Sequence, residues 1–150
     1  MATVADLESL QEILGYHFKD AALLKQALTH SSFAYESKDK GTLDNDRLEF
    51  LGDSILGMVV AGHLYDNHPD LPEGELTRLR SLIVNRENLC KKAKVMALGQ
   101  YLFLGKGEEK TLGRENATNL AGSLEAVIAA IYADGGFEAA RQFVVGKIVL

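Results

Sequence analysis

Three carboxylates between residues 46 and 53 have the spacing needed to lie on one face of a helix. Asp46, Glu49 and Asp53 stand at positions i, i+3 and i+7, and an α-helix repeats about every 3.6 residues. Like charges at this spacing repel one another. A helix that keeps them needs something to neutralise the charge, and a divalent cation is the simplest candidate. On spacing alone, the commoner explanation is a face solvated by water.

A further acid, Glu125, stands alone in a strongly apolar helical stretch from about residue 116 to residue 134. A buried carboxylate is costly unless it is paired or bound to metal. The stretch from Ile55 to Ala61 is apolar nearly all round, which leaves its helix little room for a broad solvent face. If the two helices cross, Glu49, Asp53 and Glu125 converge on one cation. Oxygen ligands alone favour Mg²⁺ or Mn²⁺ over zinc.

Helical periodicity runs through most of the chain, and no segment reads convincingly as a strand. We therefore predict an all-α bundle. The predicted helices cover residues 4–14, 20–28, a central stretch from 45 or 46 to about 67, 86–97, about 116–134 and 137–150. A turn over residues 71–76 leads into a further helix that carries Leu76, Leu79, Ile83 and Val84, and loops cover 36–44 and 105–114.

Polar residues and glycines mark the ends and the middle of these helices. We expect Asp20, Asn45 and Asn85 to act as N-caps. In the central helix Gly52, Gly57 and Gly62 recur every five residues. Each costs about 1 kcal/mol against alanine, a cost that close approach by another backbone would offset.

Composition and length limit the class of protein. The chain has 150 residues, 47% of them hydrophobic and 25% charged, which fits one globular domain over residues 1–150. Its net charge of −5 argues against a domain that holds nucleic acid by bulk electrostatics alone, because such domains are usually basic. A metal-dependent site that acts on nucleic acid is compatible with this charge, since such a site itself needs acids.

The sequence predicts a cytoplasmic protein without a membrane segment. Its first six residues, MATVAD, lack a basic region followed by an apolar run, so we see no secretory signal. The longest nearly apolar run, from Ile55 to Gly62, is far too short to span a membrane. The single cysteine, Cys90, excludes an internal disulfide and is compatible with a reducing compartment.

Five ordered blocks of the chain resemble the ribonuclease III endonuclease domain. The family's signature is closely similar to residues 45–54, NDRLEFLGDS. Four further blocks follow the family's order: 27–32 (ALTHSS), 72–80 (PEGELTRLR), 104–110 (LGKGEEK) and 120–126 (LAGSLEA). The resemblance extends over essentially all 150 residues, and a ten-residue agreement in the signature with four ordered blocks makes it specific.

The resemblance implies a helical domain that forms a homodimer and cuts both strands of double-stranded RNA in RNA processing, such as rRNA and mRNA maturation. The products carry 5′-phosphate and 3′-hydroxyl ends. By the same resemblance, Glu49, Asp53 and Glu125 are the catalytic residues and the ligands of Mg²⁺, for which Mn²⁺ can substitute. Such a cation would lower the pKa of an attacking water and stabilise charge on the transition state.

Other positions take substrate-binding or dimer roles from the resemblance. Asp46 and Glu73 match residues near the scissile region of the bound RNA. Phe50 matches an aromatic that inserts into the partner subunit, although an ordinary core phenylalanine is nearly as good an explanation. Residues 1–150 do not include the double-stranded RNA-binding domain that usually follows in bacterial members, so we expect an isolated catalytic domain or a compact family member, and isolation would weaken RNA affinity because phosphate contacts carry most of it. The candidates for the remaining phosphate contacts, which solvated surface charge would explain equally well, are Arg78, Arg80, Lys106, Lys110 and Arg114.

The chain departs from the family pattern at two positions. Asp46 stands where the family commonly has glutamate, so the charge is kept but its reach is one methylene shorter. Gly122 stands three residues before Glu125, where the family typically has a metal-binding aspartate. A glycine offers no carboxylate, so we expect a metal site with weaker binding in which water takes the vacated position. The alternative is a catalytically weakened homologue that acts as a dimeric RNA-binding or structural module.

Overall fold

The computed structural model describes residues 4–150 and confirms the all-α class. No strand occurs in this part of the chain, where the only sheet-like pairing is an isolated bridge between Thr29 and Phe103. The α-helices are α1 (Val4–Leu14), α2 (Ala21–Ala27), α3 (Ser31–Glu36), α4 (Asp46–Asn67), α5 (Glu73–Val84), α6 (Arg86–Val95), α7 (Lys106–Lys110), α8 (Ala117–Gly135) and α9 (Phe137–Val144).

Helix α8 forms the centre of the bundle. All of its residues from Leu120 to Ile131 are buried except Glu125. Helices α2, α4, α6 and α9 pack around it, with the most extensive contact made by α4. Each large apolar side chain buried there, such as Leu56 of α4, stabilises the fold by about 1.5–3 kcal/mol.

Gly52 lies where α4 and α8 cross. A Cβ built on it would overlap the backbone carbonyl oxygen of Glu125 on α8, so the two backbones touch there only because position 52 has no side chain. This geometry confirms the expected close approach at Gly52. The same expectation is wrong for Gly57 and Gly62, because no atom lies within 4 Å of a Cβ built at either position.

The predicted N-caps occupy the positions expected of them. Asp20 caps α2 by accepting a hydrogen bond from the backbone N–H of Ala22, at 3.1 Å. Asn85 likewise accepts from the N–H of Asn88, at 2.8 Å. Asn45 stands at the N-cap of α4, but its side chain makes no capping hydrogen bond. It is used inside the bundle instead.

Two short helices were not predicted. Helix α3 begins directly after His30, whose ring Nδ1 accepts a hydrogen bond from the N–H of Ser32, at 3.1 Å. Helix α7 lies within the segment predicted as a loop. The two are joined because the N–H of Gly105, which precedes α7, donates to the Ser32 hydroxyl at 2.9 Å. At the end of the chain, α9 passes into a π-helical turn, Val145–Val149, instead of continuing as one helix.

None of the helices formed by residues 4–150 combines the length and the hydropathy that a membrane crossing requires.

Candidate active site

The crossing of α4 and α8 brings together the three acids predicted as catalytic residues. Glu49 and Asp53 lie one turn apart on α4, and Glu125 faces them from α8. Because Gly52 lies between the two acids of α4 and touches the backbone of Glu125, it sets how closely their carboxylates approach. Glu49 and Glu125 are half-buried, whereas Asp53 is exposed.

Glu125 is the most strongly perturbed acid of the site. Burial, a hydrogen bond with Asp53 and the negative charges of Asp53 and Glu49 together raise the pKa of Glu125 to about 8. A carboxyl group with this pKa is mostly protonated at neutral pH, so Glu125 can donate the hydrogen bond that joins it to the carboxyl group of Asp53.

The pKa of Glu49 is also raised. Burial is the largest cause, the charges of Asp46 and Asp53 raise the pKa further, and His30 lowers it. This pattern confirms that Asp46, at the start of α4, lies close enough to belong to the charge cluster. His30 belongs to the block ALTHSS, and its ring caps α3 while also lying close enough to Glu49 to lower the pKa of that carboxyl.

The chemistry of the three acids fits a hard divalent cation. They offer oxygen ligands only, and each repels the others in a way that a bound cation would relieve. Within residues 4–150, however, no group of three or more acidic, histidine or cysteine side chains is arranged at metal-binding distance. The two findings are compatible because charges influence a pKa over a longer range than a metal–oxygen bond.

A buried asparagine, Asn45, holds together the helices that carry the site, a role that its position in the sequence did not predict. The side chain of Asn45 donates to the backbone carbonyl of Ala27 at 2.9 Å and to the hydroxyl of Ser123 at 3.4 Å. These hydrogen bonds join the end of α2, the start of α4 and the middle of α8. The signal available in the sequence was Asn45 itself, the first residue of the signature block, which was assigned to capping alone.

The remaining predicted substrate-binding residues lie outside the carboxylate cluster. Glu73 begins α5 and accepts a hydrogen bond from the Thr77 hydroxyl at 3.1 Å. Arg78 forms an exposed ion pair with Glu75 on the same helix, at 3.0 Å. The other three predicted residues of this group are exposed and free to meet a ligand: Arg80 on α5, and Lys106 and Lys110 on α7.

Arg114 differs from these cations because the fold already uses its guanidinium. Nη1 donates to the carbonyl oxygens of Gly99 and Leu102, at 3.0 and 2.7 Å. Nε donates to the carboxylate of Glu109 at 3.0 Å. These contacts hold the 3₁₀ turn that contains Arg114 against the neighbouring turn at residues 98–101. We therefore assign Arg114 to the fold and not to the substrate surface.

Phe50 lies on the side of α4 that faces away from α8, and 79% of it is exposed. It is therefore not a core residue of the single chain. Met58 and Tyr65 are also strongly exposed on α4, at 67% and 73%. An open groove beside Phe50 is lined in part by Gln26 and Leu43.

Comparison with known families agrees with the geometry of the site. The ribonuclease-III-like family model matches residues 20–150. The chain is 47% identical over 137 residues to ribonuclease 3 of Symbiobacterium thermophilum, covering 91% of this chain and 57% of the relative. It is 52% identical over 133 residues to ribonuclease 3 of Syntrophobacter fumaroxidans, covering 89% of this chain and 55% of the relative. The chain belongs to the ribonuclease III family, and it spans a little over half the length of these relatives.

Solved structures show the same fold. Two structures of the nuclease domain of ribonuclease III from Campylobacter jejuni superpose with TM-scores of 0.85 and 0.86, at 36% and 38% sequence identity. The first superposition covers 96% of this chain and 99% of the solved chain. The second covers 97% and 93%, respectively. The first of them is described as showing structural flexibility in a region involved in dimer formation.

Proposed function

We propose that the chain is a ribonuclease III endonuclease domain that cleaves double-stranded RNA with the help of Mg²⁺. The observation that carries the proposal is the meeting of Glu49, Asp53 and Glu125 where α4 and α8 cross, with their charges coupled. Family membership supplies the reaction class. We also propose that residues 1–150 form one such domain.

The three acids would hold the cation through their carboxylate oxygens. When bound, Mg²⁺ supplies a water of lowered pKa and neutralises negative charge that develops on the phosphate. Glu125 must release the proton that it shares with Asp53 before both can act as charged ligands. Asp53 is the exposed acid of the three, so we propose that it also orients the attacking water.

The RNA would lie along the exposed side of this crossing. Recognition is proposed to depend on the A-form shape of the duplex and on its phosphates and 2′-hydroxyls, not on base sequence. The cations proposed to contact phosphates are Arg78, Arg80, Lys106 and Lys110, with Asp46 and Glu73 lining the substrate path. Each exposed cation adds modestly to affinity, which will therefore fall as salt rises.

A second copy of the chain would cover the outer face of α4. Phe50 is exposed next to an open groove, which suits an aromatic that inserts into a partner subunit. A region involved in dimer formation has been described in the Campylobacter jejuni nuclease domain, which supports a homodimer here. Two sites in one dimer would allow cleavage of both strands. The cytoplasmic location and the role in rRNA and mRNA maturation stay predictions.

Gly122 favours a second candidate, a weakened homologue that binds RNA as a dimer without efficient cleavage. A glycine at this position contributes no carboxylate to the cluster, so only three acids share the cation. The two candidates differ in one measurable property, because only the enzyme turns over RNA when a divalent cation is added.

The test is cleavage of a long RNA duplex with Mg²⁺, with Mn²⁺ and with a chelator. We expect metal-dependent fragments with 5′-phosphate ends from the duplex and none from single-stranded RNA of the same sequence. Glu125→Gln should abolish the reaction. Glu138→Gln is the matched control, because it removes an exposed carboxylate paired with Arg141 on α9. Duplex binding without metal-dependent cleavage would favour the weakened homologue.

A further inference from the structure

Helix α7 is capped by a carboxylate that belongs to a different helix. It has five residues, and a helix this short is unstable alone. Its N-cap residue, Gly105, has no side chain with which to accept a hydrogen bond. Glu36, the last residue of α3, accepts instead, through Oε1, from the backbone N–H of Lys106 at 3.1 Å. A negative charge is favourable at this end of a helix, where the backbone N–H groups have no partner within the helix.

Contacts from α3 and from α8 fix the position of α7. At its start, the N–H of Gly105 donates to the hydroxyl of Ser32 on α3, at 2.9 Å. In its middle, the carboxylate of Glu108 accepts from the side-chain amide of Asn119 on α8, at 3.1 Å. Asn119 lies on the same helix as Glu125 of the acid cluster. The position of α7 relative to the acids is therefore set by side chains of two neighbouring helices.

Lys106 and Lys110 are the cations that this arrangement presents to solvent. They stand four residues apart on α7, so they lie on one face of it, and both are exposed. Neither forms an ion pair with any acid of residues 4–150, and Glu109, which stands between them, pairs with Arg114 instead. Two unpaired cations one helical turn apart suit the phosphates of a nucleic-acid backbone.

We propose that Glu36 is a positioning residue for RNA binding, whose carboxylate holds the start of α7 so that Lys106 and Lys110 meet the duplex together. The inference rests on the proposed function in one respect, that these two lysines contact phosphates. Electrostatics alone makes the opposite prediction. Glu36 is an exposed acid, so removing its charge should strengthen the attraction of the chain to RNA. The sign of the change in affinity therefore separates positioning from bulk charge.

The first test compares Glu36→Ala with Glu36→Gln. Both remove the same charge, but the amide oxygen of glutamine can still accept the N–H of Lys106. The dissociation constant of a long RNA duplex is measured by fluorescence anisotropy with Mg²⁺, in chains that also carry Glu125→Gln to stop cleavage. We expect Glu36→Ala to raise the dissociation constant by about fivefold, the upper range for one exposed charge contact. Glu36→Gln should bind as tightly as the parent chain or more tightly. Equal affinities for the two variants would overturn the proposal.

The salt dependence of binding counts the phosphate contacts that are lost. The slope of the logarithm of affinity against the logarithm of salt concentration should become shallower by about 0.9 for each lost contact. Glu36→Ala should therefore lower the slope by about 1–2, whereas Glu36→Gln should leave it unchanged. A weaker Glu36→Ala chain with the parent slope would contradict the proposal, because its lysines would still be in contact with the RNA.

A triple substitution tests whether the effect of Glu36 passes through the lysines. In a Lys106→Ala/Lys110→Ala background the side chains that Glu36 positions are gone, so Glu36→Ala should cause no further loss of affinity. A further fivefold loss there would contradict the proposal. If the lysine variant itself binds RNA like the parent chain, the proposed phosphate contacts fail and the role of Glu36 fails with them. If that variant binds weakly while Glu36→Ala and Glu36→Gln bind alike, the positioning role alone is refuted.

Discussion

The two faces of α4 differ in what covers them. The inner face packs on α8, where Ile55, Leu56 and Val59 are buried. The outer face presents Phe50 and Met58 to solvent, with 79% and 67% of each residue exposed. The acids of the candidate site lie between these two faces, at the edge of the α4–α8 contact.

This difference shows why a helix can be apolar nearly all round without being central to a single chain. The apolar stretch from Ile55 to Ala61 predicts burial nearly all round the middle of α4. The fold buries only one side. A second chain laid on the other side would complete the burial, and that is the arrangement proposed for the dimer. Substitutions on each face should therefore affect different properties.

The largest effect is expected at the acid edge. Asp53→Asn keeps the shape of the side chain but removes a charge that would hold the cation and orient water. We expect cleavage of duplex RNA to fall by about 10²–10³-fold, as when one electrostatic contact to a transition state is removed. Because Asp53 is exposed, the melting temperature should change little. A variant that cuts RNA at the wild-type rate would exclude Asp53 from the proposed chemistry.

The next largest effect is expected on the inner face. Gly52→Ala places a methyl group into the backbone of Glu125, which cannot move aside as a side chain can. We expect the free energy of unfolding to fall by about 3 kcal/mol, the upper range for an overpacked core. Urea denaturation measures it. The control, Gly62→Ala, meets no atom within 4 Å and should gain about 0.5–1 kcal/mol from helix propensity. Equal stabilities for the two variants would refute the close approach at Gly52.

Substitutions on the outer face of α4 should weaken dimer association and leave the stability of the single chain nearly unchanged. Phe50→Ala removes the exposed aromatic proposed to insert into a partner, and we expect the dimer to weaken by about 2 kcal/mol, close to thirtyfold. Sedimentation equilibrium measures this change. The stability of the single chain should change by about 0.5 kcal/mol or less. Tyr35→Ala is the matched control, since Tyr35 is an aromatic on α3 that is 85% exposed. A Phe50→Ala chain that dimerises like wild type would remove Phe50 from the interface.

The long helices were predictable because their signals are local. The bounds of α4 lie within the predicted range, and those of α8 differ from the prediction by one residue at each end. Each helix is longer than five turns, contains an apolar run and has an asparagine at its N-cap position. The three acids could be assigned to one site because their helical spacing and the family blocks agree.

The short helices could not be predicted because contacts distant in sequence stabilise them. Helices of five or six residues are unstable alone. Helix α3 depends on the His30 cap and on the hydrogen bond from Gly105 to Ser32.

The role of Arg114 also depends on contacts distant in sequence. The sequence shows only a cation in a glycine-rich segment. Only the fold reveals that the carbonyl oxygen of Leu102 accepts from its guanidinium.

The details of the acid edge also required the fold. Spacing shows that Gly122 lacks a carboxylate, but it does not show which neighbour occupies the vacant volume. That depends on how closely α4 and α8 cross, which Gly52 sets, and on the reach of Glu49.

The smallest expected effect is a pH dependence of stability at the same edge. The pKa of Glu125 is about 8 in the folded chain against an ordinary value of 4.5. For an acid whose pKa is raised by folding, the unfolded chain loses its proton first, so the folded state becomes less favourable as pH rises. The contribution is fully present below pH 4.5 and is lost as pH approaches 8. The change should be modest because Glu125 is only half-buried and partly screened by water.

Urea denaturation with a chelator, at pH values from about 5 to 8.5, measures this dependence. We expect the free energy of unfolding of the metal-free chain to fall steadily as pH rises across that range. Glu125→Gln should flatten the curve, because glutamine has no proton to lose. The Glu125→Gln curve should keep a smaller slope of the same sign, because the pKa of Glu49 is also raised. Added Mg²⁺ should reverse the trend, since ionised carboxylates bind the cation and the bound state is stabilised. A metal-free curve with the same slope in wild type and Glu125→Gln would show that the acid edge does not hold the shared proton.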